Sequence, residues 1–414
     1  MGQPSKPDKP NETDQSSETN KPKQPASSPL TIGTDLRVQD YRPKSQLVVP
    51  ATNLRHAKFP VVDVHTHFYN RTRHNRQGLE DFVEVMNQQN IAACVSLDGR
   101  LGDRLVAHKR YLWKEHADRF LIFTNVNWIG NGRRDDPSTW ACHQPGFGKR
   151  TATAIRAAAA EGVCGLKLYK SFGLGLRNPD GTLVKIDDPR WSPIFDACGD
   201  VGIPVIIHTA DPAAFFQPID ETNERYEELS RHPSWSFYTP PNAPVEKQFP
   251  SRLELLEARN RLLERHKNTT FIGAHVANYP EDLETVSRWL RRYPNLVVEF
   301  ASRINELGRQ PYSARKFLIQ FQDRVLFGTD GPWPEQRLRY YWRFLETRDE
   351  DFPYSEKIPP PQGLWNIQGV GLPDQVLKKI YHQNAARIIP GVRERLDKYQ
   401  NLSKSSFESK TPEK

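Results

Sequence analysis

From Phe59 onward the chain alternates between short apolar, β-branched runs and longer stretches in which apolar residues recur at helical spacing. The runs cover residues 59–67, 91–99, 119–128, 162–170, 202–210, 270–278, 295–302 and 324–332. Helices are expected between them, near 78–89, 103–118, 150–161, 189–201, 250–267, 280–293 and 312–322, with two more at 335–347 and 373–388. Strands that alternate with helices pair in parallel through right-handed crossovers. Near-continuous apolar runs suit strands buried on both faces. Eight such units predict an α/β chain folded as a (β/α)8 TIM barrel, whose active site belongs at the C-terminal ends of the strands. A doubly wound open sheet is the alternative, but no GxGxxG follows the first strand.

Reading the strand ends in order gives His65 and His67, then Lys167, His208, His275 and Asp330. Residues i and i+2 of a strand share a face, so the two imidazoles of His65 and His67 can bind one ion. Imidazole and carboxylate together suit Zn2+ or another first-row divalent ion with a position open for water. Asp63 lies on the same face and is either a partner that fixes an imidazole or a buried, hydrogen-bonded carboxylate. Glu299 on the seventh strand reaches toward the same mouth without an assigned role.

These motifs resemble the amidohydrolase superfamily. Val-Asp-Val-His-Thr-His matches the first-strand signature, and Gly-Leu-Lys-Leu-Tyr, Val-Ile-Ile-His, Ile-Gly-Ala-His and Phe-Gly-Thr-Asp-Gly-Pro match strands four, five, six and eight. Tyr-His-Gln-Asn-Ala-Ala-Arg at 381–387 is similar to the closing helix of the amidohydrolase-related, aminocarboxymuconate-semialdehyde decarboxylase-like branch. The resemblance implies that His65, His67, His208 and Asp330 hold one divalent metal, most readily Zn2+. Asp330 would also take the proton of the bound water, and His275 would contact substrate or polarise the reacting carbonyl. Lys167 would neutralise a substrate carboxylate or anchor the site. In binuclear relatives a carboxylated lysine bridges two metals at the position of Lys167, and His275 then becomes a ligand. The implied activity is metal-dependent hydrolysis of an amide, lactone or ester. Nonoxidative decarboxylation (carboxy-lyase activity) is the alternative, and a non-catalytic ligand-binding barrel is a remote third.

Composition trims the picture. The chain has 414 residues, 34 Pro, only 4 Cys and a net charge of +8. Too few cysteines are present for a disulfide scaffold, and no apolar run is long enough for a membrane span. Residues 1–30 sum to zero charge and are rich in Pro and polar residues, so they are read as a disordered tail. The basic excess lies on mixed-charge helices, which argues against nucleic acid. The expected partner is a small-molecule substrate, with homo-oligomerisation left open. A cytoplasmic location is the default reading, and a periplasmic or lipid-tethered one follows if an export signal has been removed. Residues 31–58 form an N-terminal arm, 59–390 the barrel and 391–414 a C-terminal tail, disordered from about Leu402. Two long loops, 171–188 and 209–250, are candidate lids. The first holds a hairpin turn, and the second carries Phe215, Phe216, Tyr226, Trp235, Phe237 and Tyr238. Arg177, Arg303 and Lys170 are cations that could bind a carboxylate or serve as surface ions.

Overall fold

The computed structural model describes residues 36–37, 40–41 and 43–408, without the side chains of 403–408. The chain divides into two units, 1–48 and 49–414. The disordered tail expected at 1–30 lies outside the described residues.

The second unit is the barrel. Its strands are β1 (Val61–Thr66), β2 (Ile91–Ser96), β3 (Phe120–Asn125), β4 (Gly165–Leu168), β5 (Val205–Ile207), β6 (Phe271–Gly273), β7 (Leu296–Glu299) and β8 (Val325–Leu326). All neighbouring pairs are parallel and the order is sequential from β1 to β8. Beyond its two formal residues β8 meets β1 again: the Val64 N–H donates to Phe327 O at 3.0 Å and the Asp330 N–H to His65 O at 2.8 Å. Every strand residue is buried, as a sheet covered on both faces requires.

A long helix follows each strand: α1 (Arg76–Gln88), α2 (Asp103–His116), α3 (Phe147–Ala160), α4 (Ser192–Asp200), α5 (Arg252–Arg265), α6 (Leu283–Arg292), α7 (Pro311–Gln320) and α8 (Glu335–Glu346). Their starts carry readable caps. Ser251 and Glu254 form a reciprocal capping box on α5, and the Asn75 and Asp282 side chains accept N–H groups of α1 and α6. Among the described residues no helix is long and apolar enough to cross a membrane.

Part of the N-terminal arm packs on this unit. Thr52 donates its N–H and its hydroxyl to Asp349 at 2.6 and 2.7 Å, and Ala57 is fully buried. The 171–188 loop forms a hairpin closed by an Arg177–Leu183 bridge. The 209–250 loop is built from 3-10 turns and one short helix, Tyr226–Arg231. Phe215 and Phe237 turn into the core, whereas Tyr226 and Trp235 stay exposed.

The C-terminal end departs from expectation. Residues Val392–Glu408 form a helix, α9, where a tail was expected, and 409–414 lie outside the described residues. The reason is a sparse apolar stripe in a polar segment. Val392 and Leu396 are buried and Tyr399 packs with them, in a cluster that continues through Leu121, Phe123, Ile206 and Leu326. Arg395 donates to the carbonyls of Ala117 and Phe120, so α9 sits at the N-terminal end of the barrel, away from the strand ends that carry the histidines. Leu396→Ala is therefore expected to destabilise the fold by about 2–4 kcal/mol, read as a lowered denaturant midpoint.

Candidate metal centre

β1 delivers His65 directly and His67 just past its end. Their Nε2 atoms stand 3.2 Å apart. Asp330 Oδ1, from the segment after β8, lies 3.8 Å from His65 Nε2 and 3.4 Å from His67 Nε2. Each ring turns its other nitrogen to a carboxylate: His65 Nδ1 is 2.8 Å from Glu299 Oε1, and His67 Nδ1 is 2.8 Å from Asp98 Oδ1. Both carboxylates are already acceptors. Glu299 takes the N–H groups of His275 and Ala301, and Asp98 takes the Asn70 N–H and the Tyr169 hydroxyl. The ring protons therefore sit on Nδ1, and two Nε2 lone pairs face each other beside a carboxylate oxygen.

Three electron-rich atoms converging on one point repel unless a cation lies among them. A four-coordinate ion with ligands at about 2.0–2.1 Å has ligand–ligand edges of roughly 3.4 Å, close to the spacings found here. The donors of His65, His67 and Asp330 thus fit a divalent cation. Burial, with Lys167 and the neighbouring rings adding to it, holds the His65 imidazole well below its ordinary pKa, so it stays neutral and able to ligate. Burial pushes the Asp330 carboxyl up, but the nearby cations Arg71 and Lys167 pull it down, and the group stays ionised.

Gly328 makes room for this arrangement. A Cβ there would stand 2.9 Å from Glu299 Oε2 and 3.1 Å from His65 Cβ, so a side chain would crowd both partners of this hydrogen bond. Asp98 carries the parallel task for His67. Burial raises its pKa, yet His67, Tyr169 and Asn70 bring it down to about 2.

The other strand ends surround this core. His208 follows β5, with Nε2 3.2 Å from Asp211 Oδ1, and Asp211 also takes the Lys170 ammonium at 2.6 Å. Its ring lies 4.5 Å from that of His275, centroid to centroid, but it is not among the mouth donors that come within 4.8 Å of one another. His275 follows β6 in left-handed backbone, φ 56°, as do Val276, Ala277 and Asn278. Such a run is costly for non-glycine residues. The Asn278 side chain binds Ala210 O and the Thr209 N–H, and Arg259 binds Ala277 O, so neighbouring elements hold the turn. His275 Nδ1 must donate to Ala301 O at 2.7 Å, which leaves Nε2 as an acceptor. The neutral ring consequently has no proton with which to polarise a carbonyl, and burial opposes the protonated form.

Lys167 on β4 is 1% exposed and its Nζ has no hydrogen-bond partner. Burial pushes this ammonium down to about 8, against the pull of Glu299 and Asp330. Asp63 proves to be the buried structural carboxylate. Its Oδ1 accepts the His65 and Thr329 N–H groups at 3.0 and 3.1 Å, and Oδ2 accepts the Thr329 hydroxyl, tying β1 to β8 without touching an imidazole nitrogen. The Arg177 guanidinium is engaged by the carbonyls of Gly181, Val245 and Gln248, where it joins the hairpin to the second long loop. Arg303 is buried and donates to Ser302 O, with its Nε unpartnered. Glu299, Asp98, Tyr169 and Asp211 are the residues that sequence reading left without roles. Asp98 had a usable signal, since it too ends a buried apolar run.

A family match decides the relationship: residues 62–391 match the family described as Amidohydrolase. The chain belongs to the amidohydrolase family. No curated protein matches it significantly. Among solved structures it is similar to an uncharacterised TIM-barrel protein from Bordetella bronchiseptica, at 17% identity over 80% of this chain and 98% of the other, with a TM-score of 0.44. It is also similar to 2,6-dihydroxybenzoate decarboxylase from Rhizobium, at 14% identity, 80% and 98% coverage and a TM-score of 0.44. A dihydroorotase from Campylobacter jejuni gives 14% identity, 80% and 82% coverage and a TM-score of 0.44. Likeness at this level says nothing of the reaction.

Two outcomes follow from the geometry. Glu299→Gln and Asp98→Asn should each weaken divalent-metal affinity about 10–100-fold, measured by competition with a chelator. Asp63 has its carboxyl raised by burial from 3.8 to about 7. A raised folded-state value favours the native state fully at low pH, and that contribution is lost as pH rises through about 7. Denaturation of wild type against Asp63→Asn from pH 4 to 8 should show wild type losing up to about 4 kcal/mol more than the variant.

Proposed function

We propose that this amidohydrolase-family chain is a metal-dependent hydrolase acting on an amide, lactone or ester bond of a small, carboxylate-bearing substrate. The observation that carries this reading is the meeting of the His65 and His67 lone pairs with Asp330 at the barrel mouth. His65, His67 and Asp330 would hold the ion, most readily Zn2+, and His208 would be a further ligand only if its ring turned away from Asp211. Lys167 and His275 join the set if two ions are bound. A divalent ion bound there would lower the pKa of a water beside it to about 7 and so would supply a nucleophile at neutral pH.

The chain's own groups supply the rest. Asp98 and Glu299 keep the two imidazoles in the tautomer that presents Nε2. Asp330 Oδ2, 3.3 Å from the Ser302 hydroxyl, is placed to accept a proton and return it to a leaving group. The His275 Nε2 lone pair offers a second acceptor. The Lys167 ammonium suits a substrate carboxylate, because it is buried and has no partner of its own.

That same amine favours a second reading. A carboxylate drawn into the mouth by Lys167 is also the leaving group of a nonoxidative decarboxylase. The test is metal analysis followed by a substrate panel of lactones, amides, esters and aromatic or unsaturated acids. The hydrolase reading expects about one equivalent of divalent metal or more, and hydrolytic turnover lowered at least about 10²–10⁴-fold in Asp330→Asn. Carbon dioxide release without any hydrolysis would replace it with the decarboxylase. Less than about 0.2 equivalents of metal after reconstitution would remove both, by the stoichiometry that a one-ion site demands.

A further inference from the structure

A cavity of about 820 Å3 opens beside Lys167 and Tyr169 and extends along the loops that follow β2 and β3. Its size is that of a small-molecule site. Its wall also carries three guanidinium groups, Arg100 and Arg134 from two loops and Arg104 from the first turn of α2. None of the three is paired with a carboxylate among the described residues. The acid in the lining, Asp103, is exposed in the first turn of α2. Three guanidinium groups without a carboxylate, beside a buried amine that lacks a hydrogen-bond partner, leave this space positively charged and suited to an anion.

The backbone points the same way. Arg100 is held in left-handed conformation at φ 62°. The Asn125 side chain accepts its N–H at 3.0 Å, and the Thr124 hydroxyl donates to its carbonyl. A long side chain in this region is uncommon and persists where the surroundings fix it. Here both fixing residues belong to β3, and Asn125 itself lines the cavity. The wall also carries Leu176 and the indole of Trp128, which stacks on Phe172 with centroids 4.6 Å apart and planes at 11°.

We infer that this cavity receives the body of a planar, apolar substrate carrying a second acid group, which Arg100, Arg104 and Arg134 bind at the end away from the reacting bond. Lys167 takes the first acid at the mouth, so the substrate class is a planar dianion. The location of the reacting bond rests on the metal-centre reading. Capture of the far acid does not.

Titration calorimetry on the full chain, both metal-loaded and chelator-stripped, separates the two. The probes are naphthalene-2,6-dicarboxylate and 2-naphthoate. The dianion is expected to bind at least about tenfold tighter than the monoanion in both forms, as charge-assisted hydrogen bonds provide. In the Arg104→Gln/Arg134→Gln double variant, where both replaced side chains are exposed, the preference should fall to about twofold, as expected for two equivalent acid groups. Equal affinity for the two probes, including no binding of either, overturns the inference. A preference that survives the double variant, or one confined to the metal-loaded form, overturns it too, since the second acid would then lie elsewhere or on the metal. A preference in stripped protein that binds no metal would leave the inference standing and remove the metal-centre reading.

Discussion

The site depends on two hydrogen bonds that are not part of it. Glu299 and Asp98 each take the Nδ1 proton of one histidine, and in doing so force the opposite lone pairs of His65 and His67 into the same 3.2 Å gap. In the absence of positive charge that gap is repulsive, and Asp330 makes it more so. The carboxylates are themselves fixed by backbone: Glu299 by the N–H groups of His275 and Ala301, Asp98 by that of Asn70. Ligand direction is thus set by groups whose positions follow from the closed sheet.

Closure is also where the strain is placed. Non-glycine residues at positive φ stand just beyond three adjacent strands: His275–Asn278 after β6, Ser302 after β7 and Asp330 after β8. Each costs on the order of 1–3 kcal/mol and survives only if its surroundings over-determine it. The lower barrel provides that determination. A fully buried strand layer, the α9 plug at the opposite end and the Asp63 clasp between β1 and β8 leave the mouth little freedom to relax. Asp63 shows the tension directly, because it is a buried carboxylate whose ionised form is disfavoured yet whose oxygens hold both strands.

Much of this was legible in the sequence, for a simple reason. A parallel barrel puts every strand's C-terminal end at one mouth, so residues scattered from His65 to Asp330 can be gathered by their place in each run. What was not legible lies in pairings between distant residues. His65 and Glu299 are brought together by an approach that only Gly328 permits, and no spacing rule announces it. Tautomers are equally silent: that His275 presents an acceptor and not a donor depends on a single carbonyl, Ala301 O. The α9 helix was missed because three apolar positions in a polar segment weigh little until the barrel end they cover is known.

The protons at the mouth are unevenly distributed, and that constrains any chemistry done there. His65, His67 and His275 all present lone pairs, and Asp330 is ionised, so each of them can accept a proton but none begins with one to give. Lys167 is the buried amine at these strand ends, and burial has already loosened its hold on its protons. A hydrolytic cycle would close within this inventory, because a proton that Asp330 took from water would be the one a leaving group later needs. Decarboxylation has a different balance. It expels carbon dioxide without consuming water, so the proton that replaces the carboxyl group has to come from an acid already in place, and Lys167 is the candidate closest to hand. The two reactions therefore ask opposite things of one amine. In hydrolysis it can remain a fixed cation beside the substrate's acid group, and in decarboxylation it must give a proton up and recover it from solvent on each turnover.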